Sequence, residues 1–397
     1  MSTATLHIEE KKTFVPQLRF SEFEGKWEKR KVGEIYKISA GGDIDSDRVS
    51  FEKTEKFKYP IYANAKKYKG FYGYSDIYKI EPGTITVAGR GVHIGIAHAR
   101  DHRYYPIVRL LVLKPIKNED IYFSENVINR LKLFIESTGV PQLTAPQFSN
   151  YKISIPSFPE QQKIASFLNV VDEKIQQLSR KKELLEEYKK GVMQQLFSGK
   201  LRFKDKNGED YPDWEEEKLG DYLIKYSKKA TENKQFPVLT SSRKGLYFQK
   251  DYFNGQDIAS SDTTGYNIVP RGYFTYRHMS DDINFRFNIN NLCDKGIVST
   301  LYPVFTTNEN LDDNFLVLKL NNGTEFKNYA ILQKQGGSRT YMYFKKLEKL
   351  ILQLPCLPEQ KKIADFLTSI DAKIENVTQQ INQAQNFKKG LLQQMFV

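Results

Sequence analysis

Residues 159–197 read PEQQKIASFLNVVDEKIQQLSRKKELLEEYKKGVMQQLF, and residues 358–396 read PEQKKIADFLTSIDAKIENVTQQINQAQNFKKGLLQQMF. The second stretch follows the first at a constant offset of 199, and 17 of the 39 positions are identical. A repeat of that length sets the architecture before any short motif does, so the chain consists of two tandem halves. In the first copy Ile164, Leu168, Val171, Ile175, Leu178, Lys182, Leu185, Lys189, Val192 and Leu196 step by 4 and 3 alternately. The same steps in the second copy give Ile363, Leu367, Ile370, Ile374, Val377, Ile381, Ala384, Lys388, Leu391 and Met395. Unbroken heptad seams predict two long helices. The stretch Ile164–Leu196 would run roughly 50 Å at ~1.5 Å per residue. Pro159 and Glu160 suit a first helical turn, and Phe197-Ser198-Gly199 suits a stop. Each helix could pack only on its own domain, but matching seams favour two helices that pair with each other. Lys182 and Lys189 interrupt the first seam. Polar residues at such positions set register and partner, or snorkel to solvent.

The larger blocks repeat more faintly. Leu18-Arg19-Phe20, Trp27 and Lys31-Val32-Gly33-Glu34 return as Leu201-Arg202-Phe203, Trp214 and Lys218-Leu219-Gly220-Asp221. Pro60-Ile61-Tyr62-Ala63-Asn64 leads to Gly70-Phe71-Tyr72, as Pro237-Val238-Leu239-Thr240-Ser241 leads to Gly245-Leu246-Tyr247. Strands are expected over 83–87 and 272–276, and in the apolar runs Pro106–Leu113 and Asn314–Leu320. Each block therefore reads as an α+β domain of short strands and polar loops. The expected order is a domain over 13–158, a helix over 159–199, a domain over 200–357 and a helix over 358–397. If the helices pair as an antiparallel coiled coil, the molecule is pseudo-two-fold symmetric.

The chain has 397 residues, 40% hydrophobic and 27% charged. That excludes disordered and collagenous classes, and 24 Tyr with 26 Phe can fill a sizeable core. No run approaches the roughly 18 apolar residues of a membrane span, so no membrane association is expected. Two cysteines, Cys293 and Cys356, exclude a disulfide scaffold and fit a reducing compartment, most simply the cytoplasm. The net charge is +12, with +7 in residues 1–158 and +3 in 200–357. An excess of that sign in the large blocks favours a polyanionic partner, nucleic acid first.

Catalytic signatures are missing. There is no Pro-Pro dipeptide, hence no Asn-Pro-Pro-aromatic methyltransferase motif, and no Walker A sequence. Gly89-Arg90-Gly91 with Gly95 has the wrong spacing for a dinucleotide fold. His93, His98 and His102 lie close in sequence, but zinc needs a fourth ligand and a fitting geometry, and Asp101 is the sole nearby carboxylate. No metal site is expected.

The domain–helix–domain–helix order resembles the specificity subunit of Type I restriction-modification enzymes. The most specific signature runs from Phe158-Pro159-Glu160-Gln161 through Asp172-Glu173-Lys174-Ile175, and again from Leu357-Pro358-Glu359-Gln360 through Asp371-Ala372-Lys373-Ile374. Lys295-Gly296-Ile297-Val298-Ser299, followed by Tyr302-Pro303-Val304-Phe305, is similar to a run of that family's recognition domains. The loop Gly336-Gly337-Ser338-Arg339-Thr340 is the third, and its counterpart at 137–142 lacks the arginine. The resemblance implies two target-recognition domains, each reading one half of a bipartite, asymmetric sequence in double-stranded DNA. The helices would set the spacer and dock two adenine-methyltransferase subunits, with restriction subunits joining through the complex. It implies no catalysis and no cofactor in this chain: S-adenosylmethionine, Mg²⁺ and ATP would belong to the partner subunits. An adaptor that binds no DNA and an autonomous nucleic-acid enzyme are the competing classes.

Arg and Lys suit guanine edges and phosphates, Asn and Gln suit adenine, and loops after strands present them. The expected DNA contacts are Asn64, Lys66, Lys67 and Arg90 in the first block. In the second they are Ser241, Ser242, Arg243, Lys244, Arg277 and Arg339. Tyr68, Phe71 and Tyr72, beside the basic run, are candidates for stacking on a displaced base.

Overall fold

A computed structural model describes residues 14–65, 67–133, 141–255, 259–334 and 339–397. The chain divides into two compact units. One comprises Met1–Ser179 with Gln379–Val397, the other Arg180–Thr378. Each unit contains one α+β block, the start of one long helix and the end of the other.

In the first unit a four-stranded antiparallel sheet runs in the order Tyr36–Ala40, Leu111–Pro115, Thr84–Val87, Ala97–Arg100. A second sheet runs Val49–Ser50, Phe71–Ser75, Tyr59–Tyr62, Tyr105–Pro106, the last pair parallel. In the second unit Leu223–Tyr226, Val304–Thr307, Phe274–Tyr276 and Phe287–Ile289 reproduce the order of the first sheet. Two-stranded ribbons surround it, among them the hairpin Leu239–Ser242 with Gly245–Phe248, and Met279–Ser280 with Thr340–Tyr341. In each block the first strand pairs with the last: Glu28–Lys31 with Lys152–Ile155, and Glu215–Lys218 with Ile351–Leu354. The Lys-φ-Gly-acid turn follows the first of these strands. A Cβ on Gly33 would lie 2.8 Å from the Ser149 Cβ, and one on Gly220 2.6 Å from the Glu348 carbonyl oxygen. Close approach of backbone therefore explains why glycine recurs there.

The expected strand over Asn314–Leu320 is instead a helix, Asp313–Asn322. Asp312 caps it by accepting from the Phe315 N–H at 2.8 Å. Phe315, Leu316, Lys319 and Leu320 are its buried residues, a spacing of one and four that marks a helical face. A seven-residue run with five apolar residues is too short to reveal its period. The run Pro106–Leu113 also breaks: Val108 and Arg109 adopt φ of 52° and 56°, and the strand begins only at Leu111.

The two long helices span Phe158–Phe197 (40 residues) and Leu357–Gln394 (38 residues). Gly199, with φ of +70°, ends the first in the left-handed conformation that favours glycine. Every seam position named above is buried or half-buried. In the first unit Ile164, Ala165 and Leu168 share a core with Leu391, Met395, Phe396, Trp27 and Phe123. One turn further along, Asp172 receives the Lys388 ammonium at 2.6 Å. The two helix segments of that unit therefore run antiparallel. In the second unit Leu196 and Phe197 share a core with Ile363, Leu367, Ile370 and Phe315. There Lys189 reaches Asp371 at 2.5 Å. The second ion pair is the first moved by one repeat, with donor and acceptor exchanged between helices. Lys182 stays on its own helix, 3.9 Å from Glu186. Pairs this exposed are worth at most about 1 kcal/mol, so they select register more than they add stability.

The family signature closes a lock at each helix start. Glu160 accepts from Arg19 Nε (2.8 Å), Arg19 Nη2 (2.7 Å) and Trp27 Nε1 (3.1 Å). Glu359 accepts from Arg202 Nε (3.2 Å), Arg202 Nη2 (2.8 Å) and Trp214 Nε1 (3.1 Å). Gln161 accepts from the Asp120 N–H at 3.0 Å, and Gln360 from the Asp312 N–H at 2.9 Å. The repeated Leu-Arg-Phe…Trp and Pro-Glu-Gln motifs are thus the two halves of one contact.

Candidate nucleic-acid interface

In the second unit the strip 277–284 gathers the arginines. Arg243 lies in the turn of the hairpin Leu239–Phe248, and its two terminal nitrogens donate to Asp282 at 2.8 and 2.5 Å. Asp282 also accepts from Ser280 Oγ at 2.9 Å and the Asn284 N–H at 3.2 Å. The Arg243 guanidinium, helped by Asn284 and Ser280, holds the Asp282 carboxyl far below the usual carboxylate range. Pairing of Thr340–Tyr341 with Met279–Ser280 sets Arg339 beside this strip, where its Nε donates to Asp281 at 2.9 Å. Arg277 and Lys244 are exposed next to them. The floor is aromatic: His278 stacks on Tyr343 at 4.9 Å, and Tyr343 on Tyr341 at 5.7 Å. Arg243 and Arg339 are thus tied to two adjacent residues of the strip, Asp282 and Asp281, with the exposed Lys244 next to Arg243 in the chain and the exposed Arg277 at the start of the strip.

Ser241 and Ser242 sit under that surface, turned inward. Ser241, 7% exposed, donates to the Thr275 carbonyl at 3.2 Å and accepts from Asn288 at 2.8 Å. Ser242 donates to the Gly245 carbonyl at 3.0 Å and accepts from the Lys244 N–H at 3.1 Å, which shapes the turn.

In the first unit Asn64 and Arg90 come together through Gly89. Asn64 accepts from the Gly89 N–H at 2.7 Å and donates to the Val108 carbonyl, tying three loops. Arg90 Nη2 donates to Gln142 at 3.0 Å, while its buried Nε has no hydrogen-bond partner among the described residues. Lys66 lies outside the described residues, as do the side chains of Lys67 and Tyr68. Phe71 packs inward on Tyr62 at 6.4 Å. Tyr72, 47% exposed, pairs with Phe51, 76% exposed, at 5.9 Å. Phe51 escaped the sequence reading because it stands alone among polar residues.

Three further features were not legible in the sequence. Asp281 and Asp282 have no motif; only the tertiary pairing reveals that they aim the arginines. Arg100 is 2% exposed, lies 3.5 Å over the Tyr62 ring and donates to Thr86 Oγ1 at 3.0 Å and the Lys69 carbonyl at 2.6 Å. It is a core arginine that braces the loop carrying Lys67 and Lys69, and burial lowers its proton affinity. Lys319, fully buried, places its ammonium 4.9 Å over Trp214 and 2.9 Å from Glu325. The three histidines do not converge. His98 faces Glu125 at 3.3 Å, while His102 bridges Asp101 and Tyr62 at 2.8 and 2.9 Å. Among the described residues no cluster of three His, Cys, Asp or Glu side chains could hold a metal ion. No helix among them is long and apolar enough to cross a membrane.

The family profile described as Type I restriction modification DNA specificity domain matches residues 24–187 and again 211–386. The chain belongs to that family. A stretch of 140 residues is 38% identical to the candidate type I specificity subunit S.MpnORF89P of Mycoplasma pneumoniae, covering 35% of this chain and 41% of that one. The chain thus spans about two fifths of the length of that relative. The specificity subunit of the type I restriction enzyme MjaVIII of Methanocaldococcus jannaschii is 28% identical over 295 residues, 66% of this chain and 65% of its own. The fold is that of the type I restriction-modification S subunit from M. genitalium, with a TM-score of 0.62 at 15% identity over 96% of this chain and 99% of that one.

Proposed function

We propose that this chain is the DNA-recognition subunit of a type I restriction-modification complex. Each block reads one half of a bipartite, asymmetric target, and the long helices set the spacer as an antiparallel coiled coil. The subunit carries no chemistry of its own. Methyl transfer with S-adenosylmethionine, and cleavage with Mg²⁺ and ATP, fall to methyltransferase and restriction subunits. The observation that carries this reading is the double match to the DNA specificity family, one copy over each block. The cationic strip of the second unit supplies suitable chemistry, since clustered Arg and Lys neutralise phosphates and read guanine.

The test is binding of the complex, reconstituted with its methyltransferase subunits, to duplexes carrying two half-sites. Arg339→Ala is expected to weaken it. If Arg339 reads a base, the loss is about 1–3 kcal/mol and confined to one half-site; if it contacts a phosphate, the loss is uniform and the salt slope falls by about 1. Asp281→Asn is expected to do the reverse, because the amide oxygen can still accept from Arg339 Nε and keep it aimed, while the carboxylate that competes with DNA phosphate is gone. Binding without any bipartite sequence requirement overturns the proposal.

Docking of two partners is supported by a duplicated surface feature. Tyr188 and Phe387 occupy the same position of the repeat and are 53% and 56% exposed. Three residues on, a Cβ added to Gly191 or Gly390 would meet nothing within 4 Å among the described residues. A mid-helix glycine costs about 0.5–1 kcal/mol relative to alanine, and no internal contact calls for it here. An aromatic beside a bare helix surface suits close approach of a partner element. Tyr188→Ala or Phe387→Ala is expected to weaken one of two docking events by about 2 kcal/mol. Native mass spectrometry should then show chains carrying a single methyltransferase subunit.

A further inference from the structure

The two locks at the helix starts have a geometry that goes beyond holding a fold together. Glu160 is 1% exposed and Glu359 is fully buried. Each sits in the first turn of a long helix, where the positive end of the helix dipole favours a carboxylate. Each receives three donors from the opening segment of its block, a bidentate guanidinium and an indole N–H. The adjacent glutamine reaches the cap of a helix inside the block, Asp120 in one unit and Asp312 in the other. Phe20 on Phe167 at 5.9 Å and Phe203 on Phe366 at 5.5 Å add an edge-on ring contact one to two turns along. The helix start is therefore fixed to its block from several directions, with directional bonds that tolerate little rotation.

The second observation is what differs around the locks. The first unit has a second four-stranded sheet, and the second unit has separate ribbons in its place. The contact between block and helix uses the same residue types in both, differing only in that the indole N–H shares its carboxylate oxygen with Arg19 Nε in the first unit and with Arg202 Nη2 in the second. What recurs is the set of groups that attach block to helix: a bidentate arginine, an indole N–H and a buried glutamate.

We infer that Arg19, Trp27 and Glu160, with Arg202, Trp214 and Glu359, are positioning residues that convert helix length into half-site spacing. This rests on the reading of the helices as a spacer-setting element. A ruler measures only if the reading heads are rigid on its ends. A block free to pivot about its helix start would sweep its recognition surface along the DNA, where successive base pairs are ~3.4 Å apart. Loss of the lock then blurs the spacer without altering which bases each block reads.

The experiment uses the full chain reconstituted with its methyltransferase subunits. The substrates are duplexes carrying both half-sites, with spacers from two base pairs shorter to two longer than the natural one. Rates of adenine methylation give the preference for the natural spacer over its neighbours. Glu359→Gln keeps the shape and removes the charge; Trp214→Phe keeps a ring and removes only the N–H. Each is expected to lower the spacer preference roughly tenfold, as loss of a charge-assisted hydrogen bond does, with half-site base preferences unchanged. Glu160→Gln is expected to do the same from the other end. A merely structural staple would lower the melting temperature and leave the spacer preference intact, and that result overturns the inference. If Glu359→Gln does not fold, Trp214→Phe decides alone. A wild-type complex indifferent to spacer length is a different failure: it removes the spacer-setting role of the helices, and the inference with it.

Discussion

Replacing residues 200–357 by the matching block of a relative is expected to rewrite one half of the methylated sequence and leave the other half as it was. Each unit has its own core: Phe274, Tyr276, Phe287, Phe305 and Phe315 in the second, Ile85, Val87, Leu111, Leu113 and Phe123 in the first. The exchanged block carries the strip with Arg243, Arg277 and Arg339, so every base contact of that half-site changes at once. With each mismatched pair worth about 1–3 kcal/mol, the old half-site should lose several orders of magnitude in preference. The structure adds a condition on the donor. Glu359 and Gln360 lie outside the exchanged block but bind Arg202, Trp214 and the Asp312 N–H inside it. A donor lacking the arginine leaves a buried carboxylate unpaired, at a cost of about 3–5 kcal/mol, and the chimera should fail to assemble. Sequencing of methylated adenines decides the matter: a change in both half-sites would sink the model of two independent readers.

Inserting one heptad in each helix, between Lys181 and Lys182 and between Gln380 and Ile381, is expected to lengthen the spacer. Both insertion points fall within three residues of the boundaries between the units, and outside the core residues of either. The Asp172–Lys388 and Lys189–Asp371 pairs survive, because both members of each belong to one unit. Seven residues add roughly 10 Å at ~1.5 Å each and turn a straight helix by only ~20°, so the seam is kept. At ~3.4 Å per base pair, the spacer grows by up to about three pairs, with the bases read in each half unchanged. Two inserted residues rotate the following segment by roughly 200°, which sends the seam to solvent, and assembly with the methyltransferase subunits should be lost. An active heptad variant that still methylates the original spacer would show that the helices do not set the distance.

The long helices were legible because their signal is redundant: ten seam positions recur at a fixed step in two copies, and no single residue decides the outcome. Lys189 was visible as a break in that step, but its partner was not, since Asp371 lies 182 residues away in the chain. The Asn314–Leu320 run shows the opposite limit. Five apolar residues in a run of seven fit a buried strand and a buried helix equally, and the deciding signal was the Asp312 cap together with packing on Phe197.

Among the candidate contacts, residue type alone could not separate outward from inward. Arg243, Lys244, Arg277 and Arg339 are exposed, whereas Asn64 and Ser241 spend their hydrogen bonds on backbone groups and on Asn288. A short polar side chain takes whichever partner the fold brings to it, and that partner is set by distant chain segments. The sequence by itself therefore determined the duplication, the alternation of α+β block and long helix, and the family. The tertiary structure alone decided that Pro-Glu-Gln and Leu-Arg-Phe…Trp are two halves of one lock, 141 residues apart in the first unit and 157 in the second. It also decided that two aspartates aim the arginines. Periodicity is a local property and survives in the linear chain, while a hydrogen bond across a fold exists only once the fold has closed.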